Sequence, residues 1–443
     1  MTSAPGVPMR RPAFLDQPAV AAVLAALPGA RAVGGCVRDA LADRPSADVD
    51  VAAPFPPEDI IERLRLAGLK VFETGLAHGT VTAVKDHRPV EVTALRRDVL
   101  TDGRHAVVEW THDWREDAAR RDFTINAMSL TPESVLFDYF GGAADLSAGI
   151  VRFVGEPDTR LAEDYLRALR FFRFQARYGH GAPDAAAVAA IRRAVPGLAR
   201  LSAERVWMEL KRILSVPDPV AAIGLMAETG VLGAVLPEAL PPGLLPRLVA
   251  IGAPAEPLLR LAGLLFRSDQ PALMRAGGLL SRRLRLSGDE TTLLNALAGA
   301  FEGEAPNLFR LAPDLTDTAL RTTLAQADRH WRGVDAKAVL LARSWLAQAL
   351  PRQEWSAPEA WSGQVEPWTA LRRRIAEQPV PVLPVAGRDA LALGLPPGPA
   401  IGGLLDALRS WWIARGCIDD REACLAELRR RLPERGGGAA LGG

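Results

Sequence analysis

Two short stretches decide the fold and the chemistry of this chain: Gly34-Gly35-Cys36-Val37-Arg38-Asp39 and, a few residues later, Ala47-Asp48-Val49-Asp50-Val51-Ala52. A glycine pair lets backbone N–H groups approach phosphate oxygens, because no side chain stands in the way. Arg38 adds a permanently charged partner for phosphate. In a strand, alternation turns Asp48 and Asp50 to one face, where two carboxylates suit a pair of Mg²⁺ ions. The two stretches therefore predict a site that holds a nucleoside triphosphate on magnesium.

The composition is that of a globular protein. Of the 443 residues, 49% are apolar and 24% are charged, which is enough for several compact units. Lys and Arg number 53 against 52 Asp and Glu, so binding of nucleic acid requires a local basic surface. The three cysteines have no metal-ligand spacing, and no apolar run is long enough to span a membrane. These features favour a reducing, cytoplasmic location without membrane partners.

Two kinds of periodicity divide the chain. Between about 30 and 150, short apolar runs such as Thr80-Val81-Thr82-Ala83-Val84 alternate with turn signals and one helix near 57–67. From about 158 to Arg431, Leu, Ala and Arg recur at three- and four-residue spacings. The predicted fold class is therefore α+β, with an N-terminal head built on a small mixed β-sheet and an elongated, all-helical remainder.

Three segments of the head region carry further chemistry. Glu91 lies in a strand-like alternation, 89–94, where the alternative to a functional role is an exposed position on an edge strand. The segment 120–128 reads Arg-Arg-Asp-Phe-Thr-Ile-Asn-Ala-Met, and its arginines suit a triphosphate while Asp122 suits the fixing of an arginine. The polar, glycine-containing segment 98–105 predicts a mobile loop.

The segment 163–174 begins Glu-Asp-Tyr-Leu-Arg-Ala-Leu-Arg. On a single helix, Glu163, Arg167 and Arg170 fall at i, i+4 and i+7, and a solvated stripe of ion pairs is the simple interpretation. Base recognition is the alternative, because cytosine and adenine both present an amine donor beside a ring-nitrogen acceptor. An aspartate and an arginine at Asp164 and Arg167 would accept these two bases and leave buried groups unpaired against uracil or guanine.

Together these motifs resemble the nucleotidyltransferase superfamily, in the branch of class II tRNA nucleotidyltransferases, or CCA-adding enzymes, and bacterial poly(A) polymerases. The resemblance implies catalytic carboxylates at Asp48, Asp50 and Glu91, with Mg²⁺ on the first two. It implies that Asp164 and Arg167 read the base. The full set of nucleotide-binding residues that it implies is Gly35, Arg38, Arg121, Asp164, Arg167, Arg170 and Arg173. Asp102 and Arg104 fall in the flexible loop that such enzymes use when they switch from C to A addition.

The resemblance also implies an activity and a domain order. CMP, CMP and AMP would pass from CTP and ATP to the 3′ end of tRNA, with release of pyrophosphate. A poly(A) polymerase of the same family, disfavoured by the near-neutral charge, and a catalytically silent RNA-binding protein stay open, as does the choice between monomer and homodimer. The implied domains are a lead-in (1–25), a catalytic head (26–150), a helical neck (151–215), a helical body (216–380), a tRNA-binding tail (381–435) and a disordered end (436–443).

Overall fold

The computed structural model describes residues 6–46, 48–101, 106–239, 242–266, 277–298, 311–331, 333–350 and 365–432. The chain divides into two compact units, Met1–Pro237 and Glu238–Gly443. Asp102 and Arg104, predicted as parts of a flexible loop, lie outside the described residues, and so does the end predicted to be disordered, 436–443. The finer division into head, neck, body and tail stays a prediction.

The first unit contains all the strands of the described residues. They are β1 (Val7–Pro8), β2 (Arg31–Val33), β3 (Asp50–Ala53), β4 (Lys70–Gly75), β5 (Thr80–Lys85), β6 (Arg88–Ala94), β7 (Arg96–Thr101), β8 (Ala106–Trp110), β9 (Met128–Leu130) and β10 (Val135–Asp138). Its helices are α1 (Pro18–Ala26), α2 (Gly35–Leu41), α3 (Pro57–Leu66), α4 (Trp114–Ala119), α5 (Gly142–Ala148), α6 (Pro157–Glu163), α7 (Leu166–Tyr178), α8 (Ala185–Ala194), α9 (Ala203–Leu214), α10 (Val220–Glu228) and α11 (Val231–Val235). Short 3-10 helices span Ala13–Asp16, Leu76–His78, Thr124–Asn126 and Val195–Arg200.

Eight strands form one mixed sheet in the order β1-β10-β9-β2-β3-β6-β5-β4. The neighbours β3 and β6 are parallel, and the other neighbouring pairs are antiparallel. This arrangement confirms the predicted mixed sheet and sets Asp50 opposite Glu91 in the register of β3 and β6. Strands β7 and β8 form a separate antiparallel pair on either side of residues 102–105.

The sheet is stabilised by one apolar core. Alternate residues of β6, Val90, Val92 and Ala94, are buried, and they share the core with Ile60 and Leu64 of α3. This is the result of the two-residue alternation of a strand meeting the apolar stripe of an amphipathic helix. Full burial of a side chain of this size contributes about 2 kcal/mol, so the core fixes the strands that carry the acidic residues.

The helical segment predicted over 163–174 is interrupted, and the prediction of one continuous helix is wrong. Helix α6 ends at Glu163, and Asp164 has the extended dihedrals φ −155° and ψ 108°. Helix α7 then begins at Leu166, whose N–H donates to Asp164 Oδ1 at 3.0 Å. An aspartate side chain that accepts from the first N–H groups of a helix favours a helix start over a helix interior. Glu163 and Asp164 therefore lie outside α7, although Glu163 still pairs with Arg167 across the break.

The second unit is helical throughout its described residues. Its helices are α12 (Leu245–Ala250), α13 (Pro257–Leu265), α14 (Gly277–Leu284), α15 (Gly288–Ala298), α16 (Asp317–His330), α17 (Ala336–Ala349), α18 (Val365–Glu377), α19 (Gly387–Ala392), α20 (Pro399–Ala414) and α21 (Arg421–Arg430). Trp368, Leu371 and Ile375 of α18 are fully buried in one core, and Leu408 and Leu428 belong to another. No helix among the described residues is both long and apolar enough to cross a bilayer.

Candidate active site

The turn between β2 and α2 requires glycine. Gly34 has a φ of 72°, in the left-handed region, and a Cβ atom there would lie 3.0 Å from Nη1 of Arg121. Any other residue at this position would be strained and would push against that guanidinium. Gly34 and Gly35 both line a cavity of the first unit. The backbone at this turn is therefore open to a ligand, as the sequence predicts.

Asp48 and Asp50 line the same cavity. Strand β3 begins only at Asp50, so Asp48 precedes the strand that was predicted to contain both. Burial raises the pKa of Asp50, and the negative charges of Glu91 and Asp48 raise it further, while Arg121 opposes them. Glu91 is level with Asp50 on the neighbouring strand but is not one of the residues that line the cavity. A cation between these carboxylates would relieve their mutual repulsion.

The acidic residues fit a divalent cation whose shell is completed by its substrate. Within the described residues, no three His, Cys, Asp or Glu side chains make up a metal site by themselves. Mg²⁺ is usually bound by one or two carboxylates together with substrate phosphates and water. Asp48 and Asp50 are two such carboxylates in a cavity rich in phosphate-binding groups. Their fit to a metal therefore depends on a bound triphosphate.

The cavity has a volume of about 730 Å³ and a cationic wall. It is lined by eight arginines and five aspartates. Of the residues predicted from the sequence, it brings together Gly35, Arg38, Asp48, Asp50, Arg121, Asp164, Arg167, Arg170 and Arg173. The excess of guanidinium groups suits a ligand that carries several negative charges, because each phosphate can accept paired hydrogen bonds from an arginine.

Arg38 is held by a buried network. Its Nε and Nη2 donate to Asp39 Oδ1 at 3.1 and 3.0 Å, and its Nη1 donates to Asn126 Oδ1 at 2.5 Å. The side chain of Asn126 joins Arg38 to Asp122, because its Nδ2 donates to Asp122 Oδ1 at 3.0 Å. The guanidinium group of Arg38 is thus held in one orientation at the wall of the cavity.

Asp122 fixes an arginine of α7, as predicted. Nε of Arg170 donates to Asp122 Oδ2 at 2.7 Å, and the N–H of Phe123 donates to Oδ1 at 2.9 Å. Burial alone would raise the pKa of Asp122, but the charge of Arg170 and the hydrogen bonds from Asn126, Arg170 and Phe123 outweigh it and hold the pKa below its usual value. The ionised pair ties α7 to the segment 120–128.

The two residues predicted to read the base both reach the cavity from the break between α6 and α7. Asp164 Oδ2 accepts from Nη2 of Arg205 at 2.6 Å, in addition to its bond with the helix start. Arg167 forms an ion pair with Glu163 and donates from Nη1 to the carbonyl oxygen of Arg160 at 3.0 Å. Both side chains are thus held by neighbours before a base arrives, and Asp164 and Arg167 stay the predicted base readers.

Sequence reasoning missed the part of the site contributed by α9. Arg205 and Arg212 line the cavity, and Glu209 between them accepts from Nε of Arg173 at 2.6 Å and from Nη1 of Arg212 at 3.0 Å. The signal was present, because residues 205, 209 and 212 fall at i, i+4 and i+7 and so share one helix face. Ser202 caps the start of α9, since its side chain accepts from the N–H of Arg205.

Comparison with known proteins agrees with this arrangement. Residues 30–152 match the family described as the poly A polymerase head domain, and residues 183–241 match one described as "Probable RNA and SrmB-binding site of polymerase A". The chain is 33% identical to the mouse protein CCA tRNA nucleotidyltransferase 1, mitochondrial, over 90% of this chain and 86% of that protein. It is also 33% identical to a CCA-adding enzyme of Geobacillus stearothermophilus, over 85% of this chain and 86% of that enzyme.

Solved structures give the same result. The crystal structure of the Bacillus stearothermophilus CCA-adding enzyme in complex with CTP superposes with a TM-score of 0.69 at 27% identity, over 94% of this chain and 98% of that chain. Sequence, fold and cavity therefore agree, and the resemblance first inferred from the motifs is confirmed. This chain belongs to the tRNA nucleotidyltransferase and poly(A) polymerase family, among its CCA-adding members.

Proposed function

We propose that this chain is a nucleotidyltransferase that adds C, C and A to the 3′ end of tRNA without a nucleic-acid template, using CTP and ATP. One observation carries the proposal: a single cavity collects the Gly34 turn, the pair Asp48 and Asp50, and the arginines of α7. The names of the relatives and the CTP complex of the similar structure support the same activity. A poly(A) polymerase is not favoured by these relatives.

The reaction forms one bond and breaks another at the same phosphorus. The 3′ hydroxyl of the primer attacks the α-phosphorus of the triphosphate and forms the new P–O bond. The bond between the α-phosphorus and the oxygen that bridges to the β-phosphate breaks, pyrophosphate leaves, and the hydroxyl proton passes to solvent water. Arg38 and Arg121 bind the negative charge of the triphosphate at the open glycine turn. Asp48 and Asp50 are the residues that would hold Mg²⁺, which would stabilise the attacking and leaving oxygens when bound. Glu91, opposite Asp50 on the neighbouring strand, would orient the primer hydroxyl or complete the coordination of the metal.

Base selection rests on complementary hydrogen bonds. The Asp164 carboxylate accepts from the exocyclic amine of cytosine or adenine, and the Arg167 guanidinium donates to the ring nitrogen. Uracil and guanine present these groups in reverse order, so they would leave buried groups unpaired, at a cost of about 1–3 kcal/mol for each unsatisfied group. Arg170 and Arg173 complete the nucleotide pocket, supported by their ion pairs with Asp122 and Glu209.

Several parts of the proposal rest on the sequence. Asp102 and Arg104 act in the switch from C to A addition, and Mg²⁺ is the preferred divalent cation. The segment 381–435 binds tRNA. The enzyme works in the cytoplasm, without a membrane partner, as a monomer or a homodimer.

An incorporation assay tests both the activity and the metal-binding pair. A tRNA that ends at the discriminator base is supplied with labelled CTP, ATP or both, and ordered addition of C, C and A is expected. Asp48→Ala should abolish transfer, while the matched control Asp59→Ala, at an exposed carboxylate in the first turn of α3, should leave it unchanged. Long tails from ATP alone would indicate a poly(A) polymerase instead. Normal transfer by Asp48→Ala would contradict the role of the acidic pair.

A further inference from the structure

A second cavity lies beside the catalytic one in the first unit. It has a volume of about 550 Å³ and is formed where α2 and α7 end, with α5 contributing Ala143, Leu146 and Ser147. Arg177 lines both cavities. None of the roles proposed above uses the second cavity, although the shared arginine puts it next to the nucleotide pocket.

The lining of the second cavity carries more positive than negative charge. The guanidinium carbons of Arg44 and Arg177 lie 4.9 and 5.5 Å from the centroid of the same ring, that of Tyr178. Arg38 approaches that ring to 4.4 Å, but it pairs with Asp39 and lines the catalytic cavity. Across the described residues, neither Arg44 nor Arg177 forms an ion pair with a carboxylate. His180 adds an imidazole to the lining, where Asp43 is the acidic member.

The floor of the second cavity is rigid. The Tyr178 hydroxyl donates to Asp39 Oδ1 at 2.5 Å, and this bond fixes the ring on which both arginines rest. The His180 ring is packed so closely on Gly149 that a Cβ atom there would lie 2.2 Å from Nδ1. Two cations held at one rigid surface lose little side-chain freedom when they bind an anion, which favours binding.

We propose that the second cavity binds a phosphate group adjacent to the nucleotide that is being transferred, through Arg44 and Arg177. The inference rests on the proposed function, because that function supplies two phosphate groups at this position. One is a phosphodiester of the primer near its 3′ end, and the other is the released pyrophosphate. Both present the oxyanion that paired guanidinium groups recognise. Two arms of one experiment distinguish them.

Equilibrium binding without turnover provides the test. Arg44 is chosen because it lines the second cavity and not the catalytic one. Wild type, Arg44→Gln and the matched control Arg10→Gln, at an exposed arginine next to the edge strand β1, are titrated with labelled tRNA that lacks CCA. In the first arm, Arg44→Gln should weaken binding several-fold and reduce the slope of log K against log salt by about 0.7–0.9, the value for one lost phosphate contact. Arg44→Lys should restore part of the affinity for tRNA and part of the salt dependence.

The second arm measures competition by inorganic pyrophosphate against a fluorescent CTP analogue. If pyrophosphate binding weakens several-fold in Arg44→Gln while RNA binding does not, the cavity takes the leaving group and the proposal stands in that form. If neither ligand binds more weakly than to Arg10→Gln, the proposal is overturned. Failure of wild type to incorporate CMP or AMP would overturn the proposed function instead, and the RNA titration would still report on the second cavity.

Discussion

At the scale of single residues, Asp122 connects most of the site. It accepts from Phe123, Asn126 and Arg170, and through Asn126 it reaches Arg38 at the glycine turn. These bonds link the phosphate-binding end of the cavity to the helix that carries the base-reading end. A carboxylate in this position acts by aligning its neighbours rather than by contact with the reacting atoms.

We expect Asp122→Asn to reduce the free energy of unfolding by about 2 kcal/mol at neutral pH, because it leaves Arg170 without its ionic partner. The pKa of Asp122 is lowered in the folded state, so its contribution is present above the unfolded pKa of 3.8 and is lost as the pH falls through the folded value. Urea unfolding of both proteins from pH 7 downward should therefore give a constant difference that narrows below about pH 4.

The exposed variant Asp59→Asn provides the control: loss of its charge from the first turn of α3 should cost less than about 1 kcal/mol, well below the effect of Asp122→Asn at neutral pH. KM for CTP should rise in Asp122→Asn, because the guanidinium group of Arg170 is no longer held in one orientation at the nucleotide pocket. A difference in unfolding free energy that does not change with pH would mean that the pKa of Asp122 is the same in the folded and unfolded states, so that its ion pair does not lower it.

Nine of the residues that line the cavity were predicted from the sequence, but most of their partners were not. Asp48, Arg38 and Arg121 stand in short motifs whose residue types indicate phosphate and metal chemistry. Arg205 and Arg177 stand in no such motif, and the helical spacing of Arg205 does not by itself show that its face of α9 lines the cavity. Which side chains pair with one another depends on how the helices and strands pack, and residue spacing within one helix does not predict that packing.

At the scale of elements, the break between α6 and α7 determines where Asp164 points. Tyr165 follows Asp164, and its ring packs against Gly197 of the 3-10 helix Val195–Arg200. Strands β5 and β6 and helix α3 were predicted from periodicity, because each buries a regular apolar stripe. The break was not predicted, since helical spacing continues through 163–174 and only the capping behaviour of an aspartate opposes it.

We expect Gly197→Ala to weaken base selection. A Cβ atom at Gly197 would lie 2.1 Å from Cε1 of Tyr165, so the ring must move and carry the adjacent Asp164 with it. The ratio of UTP to CTP incorporation should rise about tenfold, which corresponds to about 1.4 kcal/mol of lost discrimination. Single-turnover incorporation of each nucleotide into a primer tRNA measures this ratio.

The matched control is Gly224→Ala in α10, where nothing lies within 4 Å of the added Cβ atom. It should keep wild-type selectivity and gain stability, by up to about 1 kcal/mol, from the better helix propensity of alanine. If Gly197→Ala lowers stability while the UTP to CTP ratio stays unchanged, Tyr165 supports the fold and does not position Asp164.

At the scale of the whole molecule, positive and negative charges nearly cancel, but the arginines are concentrated in one place. The chain has a formal net charge of +1, yet the catalytic cavity alone is lined by eight arginines against five aspartates. Composition predicted that a local basic surface would be needed but could not locate it. The same holds for the two compact units, since Pro and Gly interrupt the helical pattern at several points and the sequence does not distinguish the interruption near Pro237 and Glu238 from the others.

Each unit has a core of its own, and this predicts two thermal transitions that respond to different changes. Leu371 is fully buried in the second unit, so Leu371→Ala should cost about 3 kcal/mol and lower the melting temperature of one transition only. CTP binds residues of the first unit, so in calorimetry it should raise the other transition by mass action. Leu391→Ala, at a leucine 44% exposed, is the control and should change neither. A single transition that responds to both CTP and Leu371→Ala would mean that the two cores unfold together, so that any damage to the helical unit would also reduce nucleotide binding.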